Sequence, residues 1–142
     1  MTIATNIFSL ITSEDKKEII NSLKAVDNVE FFEYSEKALP IDETTKIIKF
    51  IFDDLDLFKI VRDGILFNVF CSGINKLWKL AKNKIPNSEI KGKIEFSSIE
   101  LNLPEDDIGE ALDALPYALE KIEEDKSYLL IFEKGQWTIK VL

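Results

Sequence analysis

The chain has 142 residues and no histidine, and its 26 acidic residues against 18 basic ones leave a net charge of -8. Without histidine the commonest general base at neutral pH and the commonest transition-metal ligand are missing, and Ser–His or Cys–His nucleophile systems are excluded. The single cysteine, Cys71, excludes an intramolecular disulfide and favours a reducing compartment; an acidic chain whose one arginine is Arg62 argues against direct nucleic-acid binding.

The length suits a single domain over 1–142, and apolar residues at 46%, with ten Phe among them, suffice for a core. The N-terminal segment lacks the basic flank of a secretory signal. Uncharged runs are short, 13 residues over Met1–Ser13 and 12 over Gly64–Asn75, against the ~20 a spanning helix needs. A cytoplasmic protein with no membrane span is expected.

In chain order, Asn6–Ile11 reads as a short strand. Thr12 and Asp15 form the two ends of a capping box, and Ile19, Ile20, Leu23 and Val26 recur at helical spacing behind it. Val29–Tyr34 reads as a second strand, so the segment is strand–helix–strand, and were the two strands parallel neighbours the crossover would be right-handed. Asp42 reads as the N-cap of a helix with Ile47, Ile48, Ile51, Phe52 and Leu55 on one face and Asp42, Lys46, Lys49, Asp53 and Asp56 on the other. A longer helix follows over Ile60–Lys82, with a narrow polar-and-small stripe of Gly64, Asn68, Ser72 and Asn75.

Lys93–Leu101 alternates as a strand whose phase changes at Ser97-Ser98, as a bulge would produce. Pro104 with Glu105, Asp106 and Asp107 marks a helix start, and Ile108, Leu112, Leu115, Leu119 and Ile122 continue it as a kinked helix, or two short ones, around Pro116. Tyr128–Phe132 reads as a central strand buried on both faces. Lys134-Gly135 is a hairpin turn, and Trp137, Ile139 and Val141 alternate in a last strand. The order β-α-β-α-α-β-α-β-β predicts an α+β fold, a two-layer mixed sheet of about five strands with about four helices.

Few residues offer chemistry. Asp42, Asp53, Asp54 and Asp56 could hold Mg²⁺ through oxygen, but they lack calcium-loop spacing and read first as a solvated face. Asp42 with Glu89-Ile90-Lys91 is a sparse version of a nuclease carboxylate set. Cys71 sits mid-helix among apolar neighbours and reads as an inert thiol. The five glycines are scattered, so no phosphate-binding loop exists and no cofactor is expected.

Interaction features are more numerous. Glycine inside a helix costs ~1 kcal/mol relative to Ala, so Gly64 and Gly73 point to a close helix crossing, within the chain or with a partner. Residues 91–126 carry 11 acidic and four basic side chains, while 76–93 is rich in lysine. This segregation, with Glu105, Asp106 and Asp107 at its centre, suits steering of a basic partner. The last strand, with Trp137, would offer backbone for strand addition if it lies at a sheet edge. The function these features favour is a non-enzymatic protein-interaction module, an adaptor or inhibitor of the size and acidity of bacterial and viral immunity or anti-defence proteins. It would bind a basic protein partner and self-associate through the Gly64–Asn75 helix or the last strand. The alternatives are a Mg²⁺-dependent carboxylate enzyme and a small-ligand pocket among the Phe residues between helices and sheet.

Overall fold

The computed structural model of the chain describes residues 1–33, 45–86 and 89–142. Its strands are β1 (Thr2–Thr5), β2 (Glu30–Glu33), β3 (Thr45–Phe52), β4 (Glu89–Phe96), β5 (Ile99–Leu103), β6 (Tyr128–Glu133) and β7 (Gln136–Val141). Its helices are α1 (Ser13–Leu23), α2 (Leu57–Arg62), α3 (Gly64–Lys84) and α4 (Ile108–Leu119). The α+β class holds, with seven strands in place of five.

The two additional strands have specific origins. The stretch expected as a helix over 42–55 is β3 where it is described. Ile48, Phe50 and Phe52 are fully buried on one face, and Ile47 and Ile51 are half-buried on the other. A strand apolar on both faces mimics helical spacing, and its β-branched isoleucines suit the pleat. The expected cap Asp42 lies outside the described residues. The phase change at Ser97-Ser98 is a hairpin turn rather than a bulge: Glu95 pairs with Glu100 and Ile94 with Leu101, so β4 and β5 are two antiparallel strands.

Smaller corrections follow the same lines. The first strand is Thr2–Thr5, and Phe8–Leu10 within the expected strand is a 3₁₀ turn. The long helix is divided at Asp63, whose backbone N–H closes α2 on the Lys59 carbonyl while its carboxylate accepts from Leu66 N–H at the start of α3. Asp56 caps α2 in the same way through Phe58 N–H. α4 begins at Ile108 and passes through Pro116 as one helix. Its N-cap Asp107 adopts the left-handed conformation, so Glu105–Asp107 precede the first turn instead of forming it.

The sheet runs β2-β1-β3-β4-β5-β6-β7. β1 and β2, β3 and β4, and β5 and β6 are parallel neighbours, each pair bridged by helix. Antiparallel pairings join the first unit to the second and the second to the third, and another adds β7 at the edge. All four helices lie against one face. There Ile48, Phe50, Ile94, Leu101 and Leu130 have no exposure and merge with Leu23, Phe70, Ile74 and Leu112 into one core. Phe52, Phe70 and Phe96 fill the space under α3, the Phe52 and Phe96 rings stacked with centroids 4.9 Å apart.

Two glycines allow the layers to approach. Gly73 on α3 faces Leu23 of α1, and Gly92 on β4 faces the Trp78 indole, which donates from Nε1 to the Glu105 carbonyl at 3.2 Å. On the opposite face the sheet carries Lys49–Glu95 and Lys93–Glu100 ion pairs at 2.9 and 3.3 Å. β6 is therefore buried on one face only: Tyr128, Leu130 and Phe132 are buried, while Leu129 and Ile131 are half-buried.

Candidate functional site

Three loops that are distant in sequence converge on one end of the sheet. Register places Thr2 beside both Glu30 and Ile51, Ile51 beside Glu95, Glu95 beside Glu100, and Glu100 beside Leu129. The segments leading into or out of these positions carry Asp27, Asp53, Asp54, Asp56, Glu123, Glu124 and Asp125. A cleft of about 300 Å³ opens between the Asp53–Phe58 segment and the Ser97-Ser98 turn, with Glu124 on its rim. A second, of about 230 Å³, lies between Asp53-Asp54 and the Met1, Asp27, Asn28 and Glu30 surface. Asp53 and Asp54 are the wall the two clefts share.

Several of these acids have structural duties. Asp56 and Asp63 are helix caps. Asp27 is bound by the Met1 ammonium at 2.6 Å, which holds its carboxyl below the usual range. Glu124 pairs with Arg62, and Glu123 with Lys126 at 2.9 Å. Asp53, Asp54 and Asp125 are exposed and make no ion pair among the described residues. The clefts thus present carboxylates and the Ser97 and Ser98 hydroxyls to water, a surface that accepts hydrogen bonds from ammonium or guanidinium groups. Among the described residues no three carboxylate or thiol side chains assemble into a metal-holding group. Asp42, the first residue of the expected metal set, lies outside them. Glu89 and Lys91 open β4 at the other end of the sheet.

The interaction residues singled out in the sequence are scattered. Gly64, Asn68 and Ser72 are exposed and Asn75 half-buried, a solvent-facing stripe on α3 with Ile65 beside it 81% exposed. Gly64 opens the helix, and a Cβ there would meet nothing within 4 Å. The close helix crossing is made by Gly73 alone. Glu105 and Asp106 lie at the far end of the sheet, 3.2 and 3.9 Å from Lys82 Nζ. Asp107 is an exposed cap without a side-chain hydrogen bond. Trp137 is half-buried against Phe132 and donates from Nε1 to the Ala111 carbonyl at 2.8 Å, fastening α4 to β7. Cys71 is half-buried, and its thiol is pushed up to about 12 by burial and then by the Asp113 charge, which leaves it protonated at neutral pH.

The lysine-rich stretch also dissolves in three dimensions. Lys76 pairs with Glu18, Lys82 with Glu105, Lys84 with Asp15 and Lys93 with Glu100. Runs of charge counted along the chain could not show this cancellation, nor the convergence of the Asp53 and Glu124 loops; the Asp53-Asp54-x-Asp56 run was the signal that could have located the end. No helix among the described residues is long and apolar enough to cross a membrane. Comparison with known proteins matches this chain to no family model, no curated protein and no solved structure.

Proposed function

We propose that the chain is a small acidic protein-interaction module, an adaptor or inhibitor acting in the cytoplasm, that docks a basic partner on the end of the sheet walled by Asp53 and Asp54. The observation that carries this reading is the grouping of Asp53, Asp54 and Asp125, exposed and without an ion pair among the described residues, at the end of the sheet where the two clefts open. Like charges crowded on one surface repel one another and add nothing to the fold, whereas an incoming cationic surface gains both attraction and a faster encounter. The clefts on either side of Asp53-Asp54 are large enough for lysine or arginine side chains.

The test compares proteins captured from the source cell by the wild-type chain, by D53K/D54K/D125K and by E105K/D106K. A partner kept by the wild type and by E105K/D106K, lost by D53K/D54K/D125K, and released by salt supports the reading, since screening shortens such attraction to about 8 Å at physiological ionic strength. Identical capture by all three chains refutes it.

A further inference from the structure

The edge strand β7 carries a second surface, independent of the acidic end. β7 has six residues and one charge, Lys140. The other edge, β2, has four residues with exposed glutamates at both ends, a short and charged strand of the kind that resists pairing. Of the six large hydrophobic side chains most exposed among the described residues, three stand beside β7: Tyr117 at 70%, Val141 at 70% and Leu142 at 72%. A groove of about 160 Å³ runs between α4 and β7, lined by Ala114, Tyr117, Ala118, Trp137 and Ile139.

The backbone of this edge is set by its hairpin. Lys134 and Gly135 have φ of 53° and 77°, both positive as a two-residue type I′ turn requires, and Glu133 pairs with Gln136. In such a hairpin Gln136, Thr138 and Lys140 turn their N–H and C=O groups toward β6, and Trp137, Ile139 and Val141 turn theirs outward. Leu142 N–H donating to the Ser127 carbonyl continues the same alternation.

The geometry points to a second copy of this chain as the occupant of that edge, paired antiparallel about a two-fold axis at Thr138. The evidence is self-complementarity in both layers. With Thr138 opposite its own copy, Trp137 faces Ile139 and Gln136 faces Lys140, so apolar meets apolar and no like charges are opposed. Along α4 and the turn that follows it, the row nearest the edge is Glu110, Ala114 and Tyr117 on the helix and Lys121 two residues past its end, with Glu110 Oε1 3.7 Å from a Cβ built on Gly135. This row is a charge palindrome: reversed against itself, it sets Glu110 against Lys121 and Ala114 against Tyr117. Neither Glu110 nor Lys121 makes an ion pair among the described residues. The product is an isologous dimer with one continuous sheet.

Light scattering on the wild-type chain should give twice the chain mass at high micromolar concentration. Lys121→Glu should weaken the dimer roughly fivefold or more, and E110K/K121E should restore it, because the swap re-forms both pairs. Thr138→Cys should give an interchain disulfide on oxidation, since directly opposed residues of a non-hydrogen-bonded pair lie about 4.5 Å apart at Cα, whereas Asn68→Cys on α3 should not. A wild-type monomer at all concentrations overturns the proposal. So does a dimer that Thr138→Cys fails to trap, or one indifferent to Lys121→Glu.

Discussion

A β-carbon on Gly73 would stand 2.3 Å from Cδ2 and 2.5 Å from Cγ of Leu23, a side chain with no solvent exposure. α1 and α3 cross where only a hydrogen atom fits. Gly73→Ala should therefore destabilise the fold by about 1–3 kcal/mol of overpacking, less the ~1 kcal/mol that alanine gains in helix propensity. Gly64→Ala, where a Cβ meets nothing, should be neutral or slightly stabilising. Urea denaturation of both variants checks the contrast, and equal effects would remove the distinction drawn between the two glycines.

Gly92 and Trp78 form the corresponding pair between helix and sheet: a Cβ on Gly92 would lie 2.4 Å from Cζ3 of the indole. Gly92→Ala should cost about 2 kcal/mol. Trp78→Phe should cost a similar amount by leaving the Glu105 carbonyl without its donor. The double variant should lose less than the sum, because the smaller ring vacates the space the new methyl needs. Strict additivity in a double-mutant cycle would contradict this packing.

The two layers were unequally legible in the sequence. α1 announced itself through Thr12 and Asp15, and both capping-box hydrogen bonds are formed at 3.0 Å. α4 was legible because its buried residues Ile108, Leu112, Leu115 and Leu119 recur at steps of four and three along one face. β3 was not: Ile47 and Ile51 on one face and Ile48 and Phe52 on the other satisfy a helical period by accident. The β4–β5 hairpin was hidden because Ser97-Ser98 lacks the glycine or asparagine that marks a tight turn. The acidic end was half legible, since Asp53-Asp54-x-Asp56 is contiguous, whereas its neighbour Glu124 is brought there only by the pairing of β5 with β6.

Thr5 carries a polar duty inside the core. It has no exposure, its hydroxyl donates to the Ile47 carbonyl at 2.7 Å, and it accepts from Ile7 N–H at 3.1 Å. Asn6 Oδ1 then accepts from Ile47 N–H at 2.9 Å, so side chains satisfy β3 where β1 leaves the sheet. Thr5→Val preserves shape but orphans both backbone groups, and should cost about 1–3 kcal/mol. Thermal unfolding compared with Thr5→Ser, which keeps the hydroxyl, separates the hydrogen bonds from lost packing.

Acid sensitivity should involve Asp15. The Thr12 backbone N–H, and after it the Thr12 hydroxyl, hold its carboxyl below the ordinary range, with Lys84 adding to the effect. A group whose pKa falls on folding stabilises fully above its unfolded value of about 3.9 and loses that contribution as pH drops through the folded value. Asp15→Asn should therefore be less stable than wild type at neutral pH and converge with it in acid. Denaturation midpoints at pH 7 and pH 3 measure this, and a difference that persists unchanged at pH 3 would exclude the assignment.

The strand order has a consequence for how the protein is made. From β4 to β7 each strand pairs with its immediate predecessor in sequence, so the sheet can grow by one strand at a time as the ribosome delivers them. β1 alone must skip a strand, to reach β3 across the β2 segment. The β1-α1-β2 unit thus waits for later chain to anchor it through β3 and α3. Hydrogen exchange should find it the first part of the native sheet to open, with the β4–β5 centre the last.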